Sequence, residues 1–207
     1  MKGLLLKDWL VIVKQTKVYF LLMFLFALVP GMGIYSIFFG ALLPMTALAY
    51  DERSKWGQMA KMMPYSDHKM VAEKYLFGYL LAGGIAVLEA VIQILYFILG
   101  IGEGELLQNM GVIIISVLAA VNVMALQLPV IFRMGVEKSR IFLMFVTISV
   151  MFGLQSYFSV RVFEGGVSRP EWSPYMMPEI FAITLIIQFV SVMLSERLYG
   201  CAVKKKN

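Results

Sequence analysis

"LFGYLLAGGIAVLEAVIQILYFILG", Leu76 to Gly100, carries one charged residue, Glu89, in twenty-five positions. Crossing the hydrocarbon core of a bilayer takes roughly 20 apolar residues in a helix. A second block of the same kind, "IFLMFVTISVMFGLQSYFSV", runs from Ile141 to Val160. Over the whole chain of 207 residues, 60% are hydrophobic and 15% charged. A soluble domain is about half apolar and a quarter charged. The excess comes in blocks long enough to span, so the chain reads as a polytopic membrane protein. The longest polar stretch is too short for a separate soluble domain.

Six spans follow from the blocks: Val18–Val29, Ile34–Tyr50, Tyr75–Leu99, Met110–Phe132, Ile141–Val160 and Ile180–Tyr199. The first two are short and joined by "PGMG" at Pro30–Gly33. They cross by borrowing length from the segment before them or by local thinning of the bilayer. Lys and Arg fall sixteen on one side of this arrangement and two, Arg161 and Arg169, on the other. The positive-inside rule therefore places both termini and the Asp51–Lys74 loop in the cytoplasm. The net charge of +5 is a topology signal, and no nucleic-acid partner is read from it. The N-terminus lacks the pattern of a secretory signal, since its first long charge-free apolar run begins only at Val18. Cys201 alone makes no intramolecular disulfide. The expected fold is an all-α integral membrane protein, one transmembrane domain over residues 1–207.

Residues 1–17, "MKGLLLKDWLVIVKQTK", read as an amphipathic helix lying in the interface. Leu5, Leu6, Trp9, Ile12 and Val13 share one face, and Lys7, Lys14 and Lys17 cluster opposite, toward headgroups. Between the second and third spans lies a charged island, residues 51–74, with five Lys/Arg, four Asp/Glu and the chain's one histidine, His68. Asp51 to Met63 has helical spacing, with Trp56, Met59 and Met63 on one apolar edge. Gly57 weakens that helix, Pro64 ends it, and Ser66 or Asp67 caps the next. A solvated connecting loop and a partner-binding helix both fit these residues.

"MKGLLLKDWLVIVKQ", "YDERSKW" and "MPYSDHKMVAEKYL" resemble the permeases of the bacterial ABC-2 transporter superfamily. The small six-span permeases that include phenol-soluble modulin exporters are the nearest in kind. The similarity is strongest over the first 80 residues or so; beyond them span count and topology carry it. The resemblance implies that the loop after the second span is a coupling helix docking on a separate ATP-hydrolysing subunit. It assigns coupling roles to Asp51, Glu52, Arg53, Trp56, Met59, Met63, Pro64 and Lys74. It also implies two ATPase subunits holding ATP and magnesium, a second permease copy or a sibling, and a bacterial cell membrane. The cargo it implies is an amphipathic peptide. Lipid-linked or drug export is the alternative within transport, and a peptide-binding immunity or sensor protein the alternative outside it. Three features depart from the family pattern: Met63 before the proline, Asp67 and His68 after it, and the short first hairpin.

No GxxxxGK[ST] phosphate loop occurs, so ATP has no such cradle in this chain. One histidine and one cysteine, far apart, do not make a metal site, and no cofactor or catalytic residue is assigned. Glu89 is the one ionisable residue inside a span, where charge is costly and usually functional. It belongs to a stripe with Ala82, Ala86, Gln93 and Tyr96, and the last span has a matching stripe of Thr184, Gln188, Ser191 and Ser195. With Asn122 and Gln155 these are candidates for a translocation path or for interhelical hydrogen bonds. The outer loop, residues 161–178, has prolines, a Gly-Gly pair, Trp172 and Tyr175, and reads as a structured interfacial loop.

Overall fold

In a computed structural model, residues 2–29, 32–63, 66–100, 106–163 and 176–205 are described. They form nine helices and no strand: α1 Lys2–Gln15, α2 Lys17–Leu28, α3 Gly33–Ala41, α4 Leu43–Arg53, α5 Trp56–Lys61, α6 Asp67–Leu99, α7 Leu106–Met134, α8 Val136–Phe163 and α9 Met176–Lys205. Among the described residues, four stretches are long and apolar enough to cross a membrane: Gly33–Arg53, His68–Leu99, Asn109–Met134 and Pro178–Tyr199. The pair α1 and α2, bent by 80°, adds a fifth if read as one broken span. The expected fifth span, Ile141–Val160, lies inside the single helix α8, which is not among those four. The outer loop over 164–175 falls outside the described residues.

The expected second span is not one helix. It breaks at Leu42 into α3 and α4. Pro44 stands at the start of α4, where its missing N–H costs nothing and its ring stops α3 from continuing. α2 has 12 residues and rises only about 18 Å, short of a core of about 30 Å. α6, by contrast, has 33 residues and a length of about 50 Å, more than the hydrocarbon core requires. Ser66 takes its N-cap position without a side-chain bond, and Gly100, at φ +66°, closes its other end in the left-handed conformation.

α7 is the central element, packed on α3, α6, α8 and α9. Pro129 lies within it. A proline cannot donate to the carbonyl four residues back, here that of Ala125. Ser191 of α9 donates its hydroxyl to that freed oxygen at 2.5 Å. A polar side chain of a neighbouring helix thus satisfies a backbone group that lipid could not. Apolar packing fills the rest: Phe38, Ile34 and Ile37 of α3 against Ala120 and Val123 of α7, and Leu43 and Ala47 of α4 against Phe77 and Leu81 of α6.

Candidate functional site

The buried side of α1 is Leu4, Asp8 and Ile12, at spacings of four. Leu6, Trp9 and Val13 face outward. Lys7 belongs to an ion cluster with Asp8, Asp51, Glu73 and Lys74. The Lys74 ammonium donates to Asp8 Oδ2 and, at 2.7 Å, to Asp51 Oδ2. Lys7 Nζ donates to Asp51 Oδ1 at 2.6 Å and stands 2.7 Å from Asp8 Oδ1. Glu73 Oε2 lies 3.6 Å from Lys74 Nζ. The side chains of Asp8 and Glu73 are 1% and 2% exposed and that of Lys74 7%. The cluster ties α1, α4 and α6 together at the N-terminal end of α6. Charges this deeply buried are tolerable only when paired and hydrogen-bonded.

The island supplies three members of this cluster, Asp51, Glu73 and Lys74. α4 runs on through Asp51, Glu52 and Arg53, so these three belong to the end of the second stretch and not to a separate helix. The chain then turns at Lys55, whose φ of 54° is left-handed, and α5 covers only Trp56–Lys61. The single helix expected over Asp51–Met63 is therefore two, because a left-handed residue cannot sit inside a right-handed helix. Trp56 offers its ring to the Lys7 ammonium, 4.6 Å from the centroid, a cation–π contact from the island back to α1. Met63 lies in the turn after α5. Met59, Met62 and Met63 are the exposed apolar side chains, Met62 at 88%. Pro64 is outside the described residues.

Glu52 reaches farther. Its Oε2 accepts the backbone N–H of Val136, the first residue of α8, at 2.8 Å. A carboxylate there satisfies one of the free N–H groups of a helix start and meets the positive end of its dipole. Gly135 makes the approach possible. Its φ is +81°, and a Cβ on it would stand 2.9 Å from Glu52 Oε1. Between α4, α5, α6, α7 and α9 lies a cavity of about 800 Å³, lined among others by Glu52, Lys55, Glu73, Arg133 and Tyr199.

The intramembrane candidates separate into two groups. On α9, Thr184 Oγ1 accepts from Asn122 at 3.1 Å, and Gln188 donates to the Val121 carbonyl at 2.9 Å while accepting from Tyr79 at 2.6 Å. Ser191 and Ser195 both meet the Tyr75 hydroxyl. These bonds join α6, α7 and α9. Gln93 accepts weakly from Asn109 at 3.4 Å. Gln155 lies on α8, and its side chain is outside the described residues. Glu89 stands apart from both stripes' bonds. It is fully buried against Gly33 of α3, and neither carboxyl oxygen has a hydrogen-bond partner. Among the described residues no group of acidic, His or Cys side chains could hold a metal ion.

A family model described as ABC-2 family transporter protein matches residues 3–200. The chain belongs to the ABC-2 transporter family. It is a membrane permease subunit of an ABC transporter, a family whose members typically work with an ABC ATPase subunit. No curated protein and no solved structure matches this permease. Reading the permease's sequence alone misses Asp8 and Glu73 as partners of Lys74 and Lys7 as a partner of Asp51. The one visible signal is Asp8 itself, an acid in the middle of an otherwise apolar and basic helix.

Proposed function

We propose that this permease is the translocating subunit of an ATP-driven exporter of amphipathic peptides in a bacterial cell membrane. It spans six times with both termini in the cytoplasm. Two permeases, identical or paired with a sibling, assemble with two ATPase subunits that hold ATP and magnesium. The observation that carries this reading is the two-sided character of the island. Its inner side is fixed, through Asp51 and Trp56 to α1 and α6 and through Glu52 to α8. Its outer side presents Met59, Met62 and Met63 uncovered. A segment bound to three helices on one side and bare and apolar on the other suits a part that receives force from a partner. Methionine's flexible thioether adapts to such a partner's surface. The peptide class of cargo rests on the family resemblance and on an interior poor in charge.

The test is purification of the tagged permease from its own membranes. It should carry a subunit with a nucleotide-binding site and hydrolyse ATP, and an amphipathic helical peptide should stimulate hydrolysis in nanodiscs. A Met59→Ser/Met62→Ser permease should lose the subunit at an unchanged melting temperature. Full retention of the subunit by that variant contradicts the coupling role. Stimulation by lipid-linked compounds or drugs and not by the peptide contradicts the cargo.

A further inference from the structure

The ion cluster does not balance. It contains three carboxyls, Asp8, Asp51 and Glu73, and two ammoniums, Lys7 and Lys74. Asp51 is satisfied, with one oxygen on each lysine. Two oxygens are not. Asp8 Oδ1 and Glu73 Oε1 are buried and receive no hydrogen bond. Lys7 Nζ stands 2.7 Å from Asp8 Oδ1 as an ion pair without a hydrogen bond. The two carboxyls flank the same ammonium, Asp8 Oδ2 hydrogen-bonded to Lys74 Nζ and Glu73 Oε2 3.6 Å from it. Two buried carboxylates beside one ammonium oppose each other's ionisation, and a further positive charge would relieve them. The surroundings offer none. In the adjoining cavity Glu52 is held by the Val136 N–H, and Tyr199 of α9 donates to Met70 Sδ. Lys55 at the start of α5 and Arg133 of α7 line the cavity, and among the described residues neither forms an ion pair with Glu73. His68 of α6 pairs with Glu196 of α9 at an exposed site.

We propose that the cluster binds one proton, shared between Asp8 and Glu73, and that this proton fastens α1 to α6. Glu73 donates its O–H to Asp8 Oδ1. That single bond satisfies both unpartnered oxygens and leaves two negative charges against two positive ones. Loss of the proton leaves three against two, and Asp8 and Glu73 repel across the contact between α1 and α6. The native state then holds a proton that the unfolded chain has released above about pH 4.3, the ordinary glutamate value. Stability contributed by the shared proton is full below that value and is lost as pH rises through the ionisation of the buried pair. The inference depends neither on the cargo nor on the ATPase.

Glu73→Gln in the full-length chain tests it, because the amide keeps the donor and cannot ionise. Infrared spectra of the wild type at neutral pH should show a protonated-carboxyl stretch that Glu73→Gln removes. The melting temperature of Glu73→Gln minus that of the wild type should rise between about pH 5 and about pH 9, as the wild type alone loses its proton. Ile12→Cys, at a wholly buried position of α1, should be labelled several-fold faster at the alkaline end in the wild-type background and at an unchanged rate with Glu73→Gln. Asp8→Asn provides the same test by another route. It removes one negative charge and supplies a donor, so Glu73 ionises and the infrared band is again lost. A band untouched by both variants, or a melting-temperature difference that stays flat with pH, overturns the proposal.

Discussion

A Cβ on Gly33, at the start of α3, would stand 2.6 Å from Oε2 of Glu89 and 3.0 Å from its Cδ. The buried acid of α6 is seated on a place where the α3 backbone has no side chain. Gly33→Ala should therefore destabilise the permease by about 1–3 kcal/mol, the usual cost of overpacking. Glu89→Ala should remove most of that added cost, giving a coupling of at least about 0.5 kcal/mol in a double-mutant cycle. Thermal unfolding in detergent measures both. Additive effects would mean that the two residues do not share the site.

Lys74→Ala should be among the most harmful changes outside the apolar core. It leaves Asp8 and Asp51 facing each other in a buried site with one ammonium fewer. Removing one partner of a buried ion pair costs about 3–5 kcal/mol. Lys14→Ala, on an exposed part of α1, should change the melting temperature little. Similar melting temperatures for the two variants would show that the cluster does not hold α1.

Gly135→Ala tests the grip of the island on α8. It places a side chain in the left-handed region and into contact with Glu52. The conformational part alone costs about 1–2 kcal/mol. Beyond this stability loss, transport should fall if Glu52 relays movement of the island to α8. Glu52→Gln, which weakens the bond without adding bulk, should lower cargo-stimulated ATP hydrolysis with a smaller loss of stability.

Trp56→Ala should act on two properties at once. It removes the ring that faces Lys7 and an aromatic beside the exposed methionines. Loss of an aromatic anchor costs about 2 kcal/mol in partner affinity, or roughly thirtyfold. Loss of an exposed cation–π contact costs about 0.5–1 kcal/mol in stability. Co-purification of the ATPase subunit and thermal unfolding report on the two separately, and a wild-type result in both removes Trp56 from the site.

The six-span topology is checked by single cysteines. Cysteines at Met62 and Lys138 should react only from the cytoplasm, and cysteines at Met32 and Gly100 only from outside. Labelling of position 62 from outside would invert the arrangement and end the coupling role.

The long blocks are legible because hydrocarbon requires continuity. His68–Leu99 and Pro178–Tyr199 leave no other reading once their charges are counted. The break at Leu42 is less visible, since Pro44 sits in an apolar run whose hydropathy does not change around it. The ion cluster is beyond local pattern altogether. Periodicity assigns Lys7 to a face by its angle on α1, yet its partner Asp51 lies 44 residues away, and a single attractive contact outweighs the helical phase. Met62 is hidden for a related reason. The expected helix over Asp51–Met63 puts Met59 and Met63 on its edge, and the turn at Lys55 shortens that helix so that Met62 projects most.

The bond from Glu52 to the Val136 N–H spans 84 positions of the chain. During synthesis the C-terminal end of α4 is made and placed long before α8 exists. Until the ribosome has passed residue 136, Glu52 has no partner there, and the turn at Lys55 is anchored only by α1 and α6. The island is thus among the last parts of the permease to become rigid, although it is encoded in the first third of the chain. A truncated permease released before α8 would expose Met59 and Met62 on an unanchored segment, a form that membrane proteases could recognise and remove before it engages an ATPase.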